Sequence, residues 1–134
     1  YGKTKALGEI GGPGQLTLRS SFIGRELHNG TELLEWFLAQ RGRRIKGYRN
    51  ALYTGVSTLW MAALVGELIE RFPRLEGVYQ LAAPMVSKYD LLTLARRAFN
   101  IPVEIDADDS VIVRRNLNGE RFRRATGIAV PDAI

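Results

Sequence analysis

Tyr1-Gly-Lys-Thr-Lys-Ala-Leu-Gly-Glu-Ile-Gly-Gly-Pro-Gly-Gln-Leu-Thr-Leu-Arg-Ser-Ser-Phe-Ile-Gly24 is the stretch on which the fold turns. Tyr1 to Ile10 is helix-compatible and runs into the breaker cluster Gly11-Gly12-Pro13-Gly14. Leu16 to Ile23 then reads as a short, largely apolar strand stopped by Gly24. The same alternation continues outward. Asn29-Gly30-Thr31-Glu32 offers an Asn cap with a Glu three residues on, ahead of Leu33, Leu34, Trp36, Phe37 and Leu38. Arg41 to Arg49 reads as a basic, Gly-punctuated connection. Met61, Leu64, Val65, Leu68, Ile69 and Phe72 repeat at helical spacing, with Ser57 or Thr58 as cap and Pro73 as stop. A strand at Val78 to Ala82 precedes a helix opened by Ser87-Lys88-Tyr89-Asp90. Short strands follow at Val103 to Asp106 and Val111 to Val113. A last helix around Glu120 to Ala125 closes at Gly127. Strands separated by helices predict an α/β fold with parallel strands and right-handed crossovers.

The composition bounds what such a fold can do. At 134 residues and 46% hydrophobic, the chain has room for one compact domain. No apolar run is long enough to span a bilayer, so no membrane role is expected and the default location is cytoplasmic. Without cysteine there is no disulfide scaffold, thiol nucleophile or zinc–cysteine site. His28, the single histidine, makes no multi-histidine metal site and reads as a loop residue; no metal is expected. The net charge is +5, and 15 of the 19 basic residues are Arg. Such an excess suits nucleic acid, phosphorylated ligands or nothing specific. The chain opens without an initiator Met and is helical within a few residues, so it is expected to be a piece of something longer.

Tyr1-x-x-x-Lys5 carries the sharpest chemistry. Four residues apart on a helix, both side chains leave one face, and an ammonium can sit beside a phenol. A free phenol near pKa 10 is a poor acid or base at neutral pH, and a neighbouring positive charge favours its phenolate. That combination suits proton transfer.

Tyr1-Gly-Lys-Thr-Lys5-Ala-Leu-Gly-Glu9, with the following Leu16-Thr-Leu-Arg19-Ser20-Ser21-Phe-Ile-Gly24, resembles the extended short-chain dehydrogenase/reductases. Within them it is most similar to sugar-nucleotide reductases of the dTDP-4-dehydrorhamnose reductase type. Gly77-Val-Tyr-Gln-Leu-Ala82, Ser87-Lys-Tyr-Asp-Leu-Leu92 and Arg121-Phe122 ahead of Thr126-Gly127 resemble later segments of that family, in the same order. The resemblance implies the C-terminal portion of a Rossmann-type fold. Residues 1–26 would end the Rossmann-type domain and 27–134 would form the substrate-binding part, with the strand at 78–82 able to return to the main sheet. It implies NAD or NADP as cofactor and reduction or epimerisation of a nucleotide-sugar keto group. Tyr1 would donate the proton, and Lys5 would assist it and bind the nicotinamide ribose. Ser20, Ser21 and Phe22 would line the cofactor, while Phe22, Arg25, Lys46 and Tyr53 would contact substrate.

The departures are equally concrete. The Gly-rich phosphate loop of a dinucleotide-binding half belongs at a strand-to-helix turn, and Gly8, Gly11, Gly12 and Gly14 lie in the reverse order. The cofactor-binding half is therefore expected to be absent, and this chain inactive alone. The family's catalytic Ser or Thr lies upstream of the Tyr, so Ser20 and Ser21 do not inherit that role. Asn116-Leu117-Asn118 stands where relatives commonly show an Asp. Two rival readings remain: a non-catalytic nucleotide-binding sensor of the same family, and, ranked lower, a basic nucleic-acid-binding module. Arg41, Arg43, Arg44, Lys46 and Arg49 could bind a nucleotide diphosphate or nucleic acid, or form a solvated loop. Arg114, Arg115, Arg121, Arg123 and Arg124 carry the same alternatives, and Asp106, Asp108 and Asp109 read as an exposed turn. Strands lacking neighbours predict self-association, or docking on the missing half.

Overall fold

The computed structural model describes residues 1–132. In chain order the elements are α1 (Gly2–Leu7), β1 (Leu16–Arg19), β2 (Phe22–Ile23), α2 (Leu33–Leu38), β3 (Arg44–Tyr48), β4 (Ala51–Tyr53) and β5 (Val56–Ser57). They continue with α3 (Thr58–Arg71), β6 (Gly77–Gln80), β7 (Val86–Ser87), α4 (Lys88–Ala98), β8 (Glu104–Asp108), β9 (Val113–Arg115) and α5 (Glu120–Thr126). The α/β alternation is as the sequence predicts, and β1–β6, β2–β5, β3–β8 and β4–β9 all pair parallel. One pair departs from an all-parallel arrangement: β4 runs antiparallel to the short β7, which the sequence reading missed.

The strand expected over Leu16 to Ile23 is two. β1 pairs with β6 from Leu16↔Gly77 to Arg19↔Gln80, and β2 pairs with β5 at Phe22↔Val56. The change of partner falls at Ser20-Ser21. Leu81 N still donates to Arg19 O at 2.8 Å, and Val56 N donates to Ser21 O at 2.9 Å. Two small polar residues sit where the strand leaves one neighbour and joins another.

Helix ends follow their caps. The Ser57 hydroxyl accepts from Trp60 N at 3.2 Å and opens α3, which buries Leu64 and Leu68. The Ser87 hydroxyl accepts from Asp90 N at 3.0 Å and opens α4, which buries Leu91, Leu92 and Ala95. Gly127 closes α5 in the left-handed region at φ 71°. The expected Asn29 cap is not formed. Asn29 takes φ 72°, and α2 starts at Glu32 with no side-chain cap of its own. The Glu26 carboxylate accepts instead from the backbone N–H groups of Thr31 and Glu32. A carboxylate six residues upstream does the work of the expected Asn.

The basic stretch from Arg41 to Arg49 is not a loop. Most of it is β3, in which Ile45 and Gly47 are buried between exposed Arg44 and Lys46. Its parallel partner β8 holds the acidic residues taken for a turn. Arg44 pairs with Glu104 at 2.5 Å and Asp106 at 3.7 Å, Lys46 with Asp108 at 2.9 Å, and Arg49 with Asp109. Opposite charges meeting across two strands override the loop signal that each run gives alone.

Three buried clusters hold these parts together. Leu64, Leu68, Tyr79, Leu81 and Phe122 join α3, β6 and α5, with Tyr79 and Phe122 edge to face at 6.3 Å. Phe37, Ile45, Leu92, Ala95, Ile101 and Val103 join α2, β3 and α4. Val56, Ala83 and Leu91 bridge the two.

Candidate functional site

Tyr1 caps α1, and Lys5 lies one turn along it, its N–H donating to Tyr1 O at 3.1 Å. The helical spacing delivers what it predicts: the Lys5 ammonium sits 5.4 Å from the Tyr1 ring centroid. Both side chains are exposed and α1 buries none of its residues, so packing does not hold this helix. Its tail does. The Glu9 carboxylate takes Nε and Nη2 of Arg19 at 2.6 Å each, a fork on the last residue of β1. The Arg19 guanidinium keeps the Glu9 carboxyl below its ordinary range. The Thr17 hydroxyl donates to Ile10 O at 2.6 Å and accepts from Ile10 N at 3.1 Å, while Gly77 N donates to Gln15 O at 2.8 Å. The Tyr–Lys helix is thus fastened to β1 by polar contacts across the breaker turn. Glu9 and Arg19 were not singled out in the sequence; their signal is an opposite-charge pair flanking that turn.

Beyond Arg19, the Ser20 hydroxyl lies 3.2 Å from Ser21 O and 3.4 Å from Leu81 O. Ser21 contributes its carbonyl to β5, and Phe22 is 59% exposed. Ser20, Ser21 and Phe22 therefore share the partner switch that follows the Tyr–Lys helix and its strand. The expected substrate residues lie elsewhere. Arg25 pairs with Glu35 of α2, whose carboxyl that bond lowers. Lys46 is engaged by Asp108, whose carboxylate raises the Lys46 amine. Tyr53 is half-buried on β4, opposite Val86 and Arg115. Among the described residues no hydrogen bond, ion pair or ring contact joins Arg25, Lys46 or Tyr53 to the Tyr1–Lys5 pair.

At the C-terminal side, the buried Thr54 hydroxyl accepts from Leu117 N at 2.9 Å, and Gln80 Oε1 accepts from Asn118 N at 2.8 Å. The Asn118 amide oxygen accepts from Glu120 N at 2.9 Å at the start of α5. An Asp would accept the same bond, so the Asn at this place keeps the capping chemistry. A shallow cavity of about 530 Å³ opens beside it, lined by Tyr79, Asn118, Arg121 and Arg124. Its cations are engaged: Arg121 lies over the Tyr79 ring at 4.7 Å and donates to Val78 O at 3.1 Å, and Arg124 pairs with Glu120. Among the described residues no helix is long and apolar enough to cross a membrane.

No protein-family model and no curated protein matches the sequence. Solved structures do match in shape. A hypothetical dTDP-4-dehydrorhamnose reductase from Sulfolobus tokodaii superposes with TM-score 0.71 at 22% identity, over 98% of this chain and 50% of that one. A dTDP-4-dehydrorhamnose reductase from Bacillus anthracis in complex with NADP gives TM-score 0.69 at 12% identity, over 87% and 44% of the two chains. The Bordetella bronchiseptica enzyme WbmG in complex with NAD and UDP gives 0.60 at 15%, over 86% and 38%. The fold is the Rossmann-type α/β fold of these structures, and the chain spans about half or less of their length.

Proposed function

We propose that this chain is the substrate-side portion of an NAD(P)-dependent oxidoreductase acting on a nucleotide-sugar keto group, with Tyr1 as proton donor and Lys5 as its electrostatic partner. The observation that carries the reading is the Tyr1–Lys5 pair itself: a phenol and an ammonium on one exposed helix face, on a helix anchored to β1 by Glu9 and Arg19. The fold likeness to reductases and to NAD- and NADP-bound enzymes supports it.

The donor set suits a nicotinamide riboside: the Lys5 ammonium offers hydrogen bonds to a ribose diol, and Ser20 and Phe22 follow on the adjoining strand. A reduced nicotinamide, when bound, supplies the two electrons and the hydrogen that a carbonyl carbon takes up. As that carbon is reduced, negative charge builds on the carbonyl oxygen. The Tyr1 hydroxyl donates its proton there and quenches it. Lys5 stabilises the phenolate left behind, because an ammonium beside it offsets the new charge. Among the described residues no glycine-rich strand-to-helix turn is present to receive a pyrophosphate, so cofactor binding needs a further part. The outward apolar residues of α3, Leu59, Val65 and Ile69, support docking against such a part.

The test is Tyr1→Phe in the complete gene product, which keeps the ring and removes only the donor. Reductase turnover on a dTDP-4-keto sugar should fall by about 10²–10⁴-fold while NAD(P)H binding survives. Turnover equal to the parent's would refute the catalytic assignment and favour a non-catalytic nucleotide-binding sensor.

A further inference from the structure

Lys88 is the first residue of α4, and its ammonium sits between two aromatic rings, 5.0 Å from the centroid of Trp36 and 5.4 Å from that of Tyr48. Among the described residues no carboxylate lies within 4 Å of it, unlike Lys46, which Asp108 holds at 2.9 Å. The charges on the neighbouring elements are spoken for. Glu35 on α2 holds Arg25, Lys46 and Arg44 on β3 face the carboxylates of β8, and Asp90 on α4 itself accepts the Ser87 hydroxyl at 2.6 Å. Placed at the N-terminus of an 11-residue helix, the ammonium also faces the positive end of the helix dipole.

We propose that Lys88 is an acyl-acceptor site, a nucleophilic amine modified by activated acyl groups of the acyl-phosphate class. Its half-buried side chain leaves the nitrogen reachable from solvent. Burial between the rings pushes the amine below the ordinary lysine value, whereas the Asp108 carboxylate raises that of Lys46. In the reaction the neutral Lys88 amine attacks the acyl carbon, a C–N bond forms, and the C–O bond to phosphate breaks. The leaving phosphate takes the electron pair, and the ammonium proton passes to solvent. Acylation removes a positive charge from a helix N-terminus, where it is disfavoured.

The experiment exposes the protein to acetyl phosphate at mildly alkaline pH and follows each lysine by peptide mass spectrometry. Each unit of lowered pKa gives roughly tenfold more free amine, partly offset by weaker nucleophilicity, so Lys88 should react at least about threefold faster than the exposed Lys3. Lys46 should be the slowest. In denaturing urea the preference should vanish, and Trp36→Leu should bring Lys88 towards the Lys3 rate. Lys88 reacting no faster than Lys3 in the native protein overturns the proposal, as does a preference that persists in urea or an unchanged rate in folded Trp36→Leu. Should that variant not fold, the urea comparison decides alone.

Discussion

Gly47 is where α4 meets β3, and replacing it by Ala tests the packing that brings Lys88 to Tyr48. A Cβ there would lie 2.7 Å from Tyr89 Cδ2, 2.8 Å from Ile105 Cγ2 and 3.1 Å from Tyr89 Cα. Non-bonded carbons prefer about 3.5–4.0 Å, so each contact is compressed by roughly half an ångström or more. A ring edge can turn, but Tyr89 Cα belongs to the backbone of α4, and clearing it means lifting the helix from the strand. Overpacking of this kind costs about 1–3 kcal/mol. Against it stands the entropy an Ala removes from the unfolded chain, about 0.4–1 kcal/mol. The net expectation is a loss of about 1–2 kcal/mol. Gly66 is the matched control. It lies inside α3 with nothing within 4 Å of a built Cβ, so Gly66→Ala should stabilise by about 0.5–1 kcal/mol. Urea unfolding of both variants beside the parent reads the difference as opposite shifts of the midpoint. A Gly47→Ala midpoint at or above the parent's would show that the α4–β3 approach is looser than described.

Phe122→Ala empties a fully buried site against Tyr79 and should cost about 3–5 kcal/mol in urea unfolding, with α5 coming loose from β6. The Asp108 carboxyl is held well below its ordinary range, first by the Ser110 hydroxyl and then by Lys46. A carboxyl depressed in the folded state stabilises above its unfolded value near ~4 and loses that contribution as pH falls towards the folded value. Urea midpoints measured from about pH 5 down to 2 should therefore fall less steeply in Asp108→Asn than in the parent. In the complete gene product, Lys5→Met should lower turnover and also weaken NAD(P)H binding, measured by steady-state rates and fluorescence titration, since the same ammonium would serve phenol and ribose.

Long periodic segments were legible because their chemistry is local. Ser57 and Ser87 announce α3 and α4, Gly127 ends α5, and the four-residue spacing of Tyr1 and Lys5 alone brings them to one face. What escaped depends on partners distant in sequence. Val56-Ser57 and Val86-Ser87 are two-residue strands that exist only because β2 and β4 lie beside them. Ser20-Ser21 carries no breaker residue, so nothing local says that the strand changes partner there. The Glu26 cap and the Glu9–Arg19 fork join residues that secondary-structure periodicity does not relate. The contacts of Arg25, Lys46 and Tyr53 were assigned through resemblance, whereas their neighbours are set by the tertiary pairing of α2, β3 and β4.

The ion-pair ladder between β3 and β8 has a consequence that reaches the Tyr–Lys side of the molecule. Side chains alternate along a strand, so a slip of one residue would bury Arg44 and Lys46 and expose Ile45 and Gly47. Three oppositely charged pairs, Arg44–Glu104, Lys46–Asp108 and Arg49–Asp109, all disfavour that slip. Arg49 N donates to Asp108 O at 3.0 Å and Asn50 Nδ2 to Asp109 O at 3.1 Å, which carries the register into β4. From β4 the chain passes directly through the buried Thr54, whose hydroxyl receives Leu117 N, to Val56, whose N–H donates to Ser21 O. A register set by surface charge thereby fixes the strand that receives Ser21 and Phe22 after their departure from β6. Individually these exposed pairs contribute little to stability. Their effect is to exclude the alternative pairing, and with it any arrangement in which the segment after the Tyr–Lys helix lacks a strand to join.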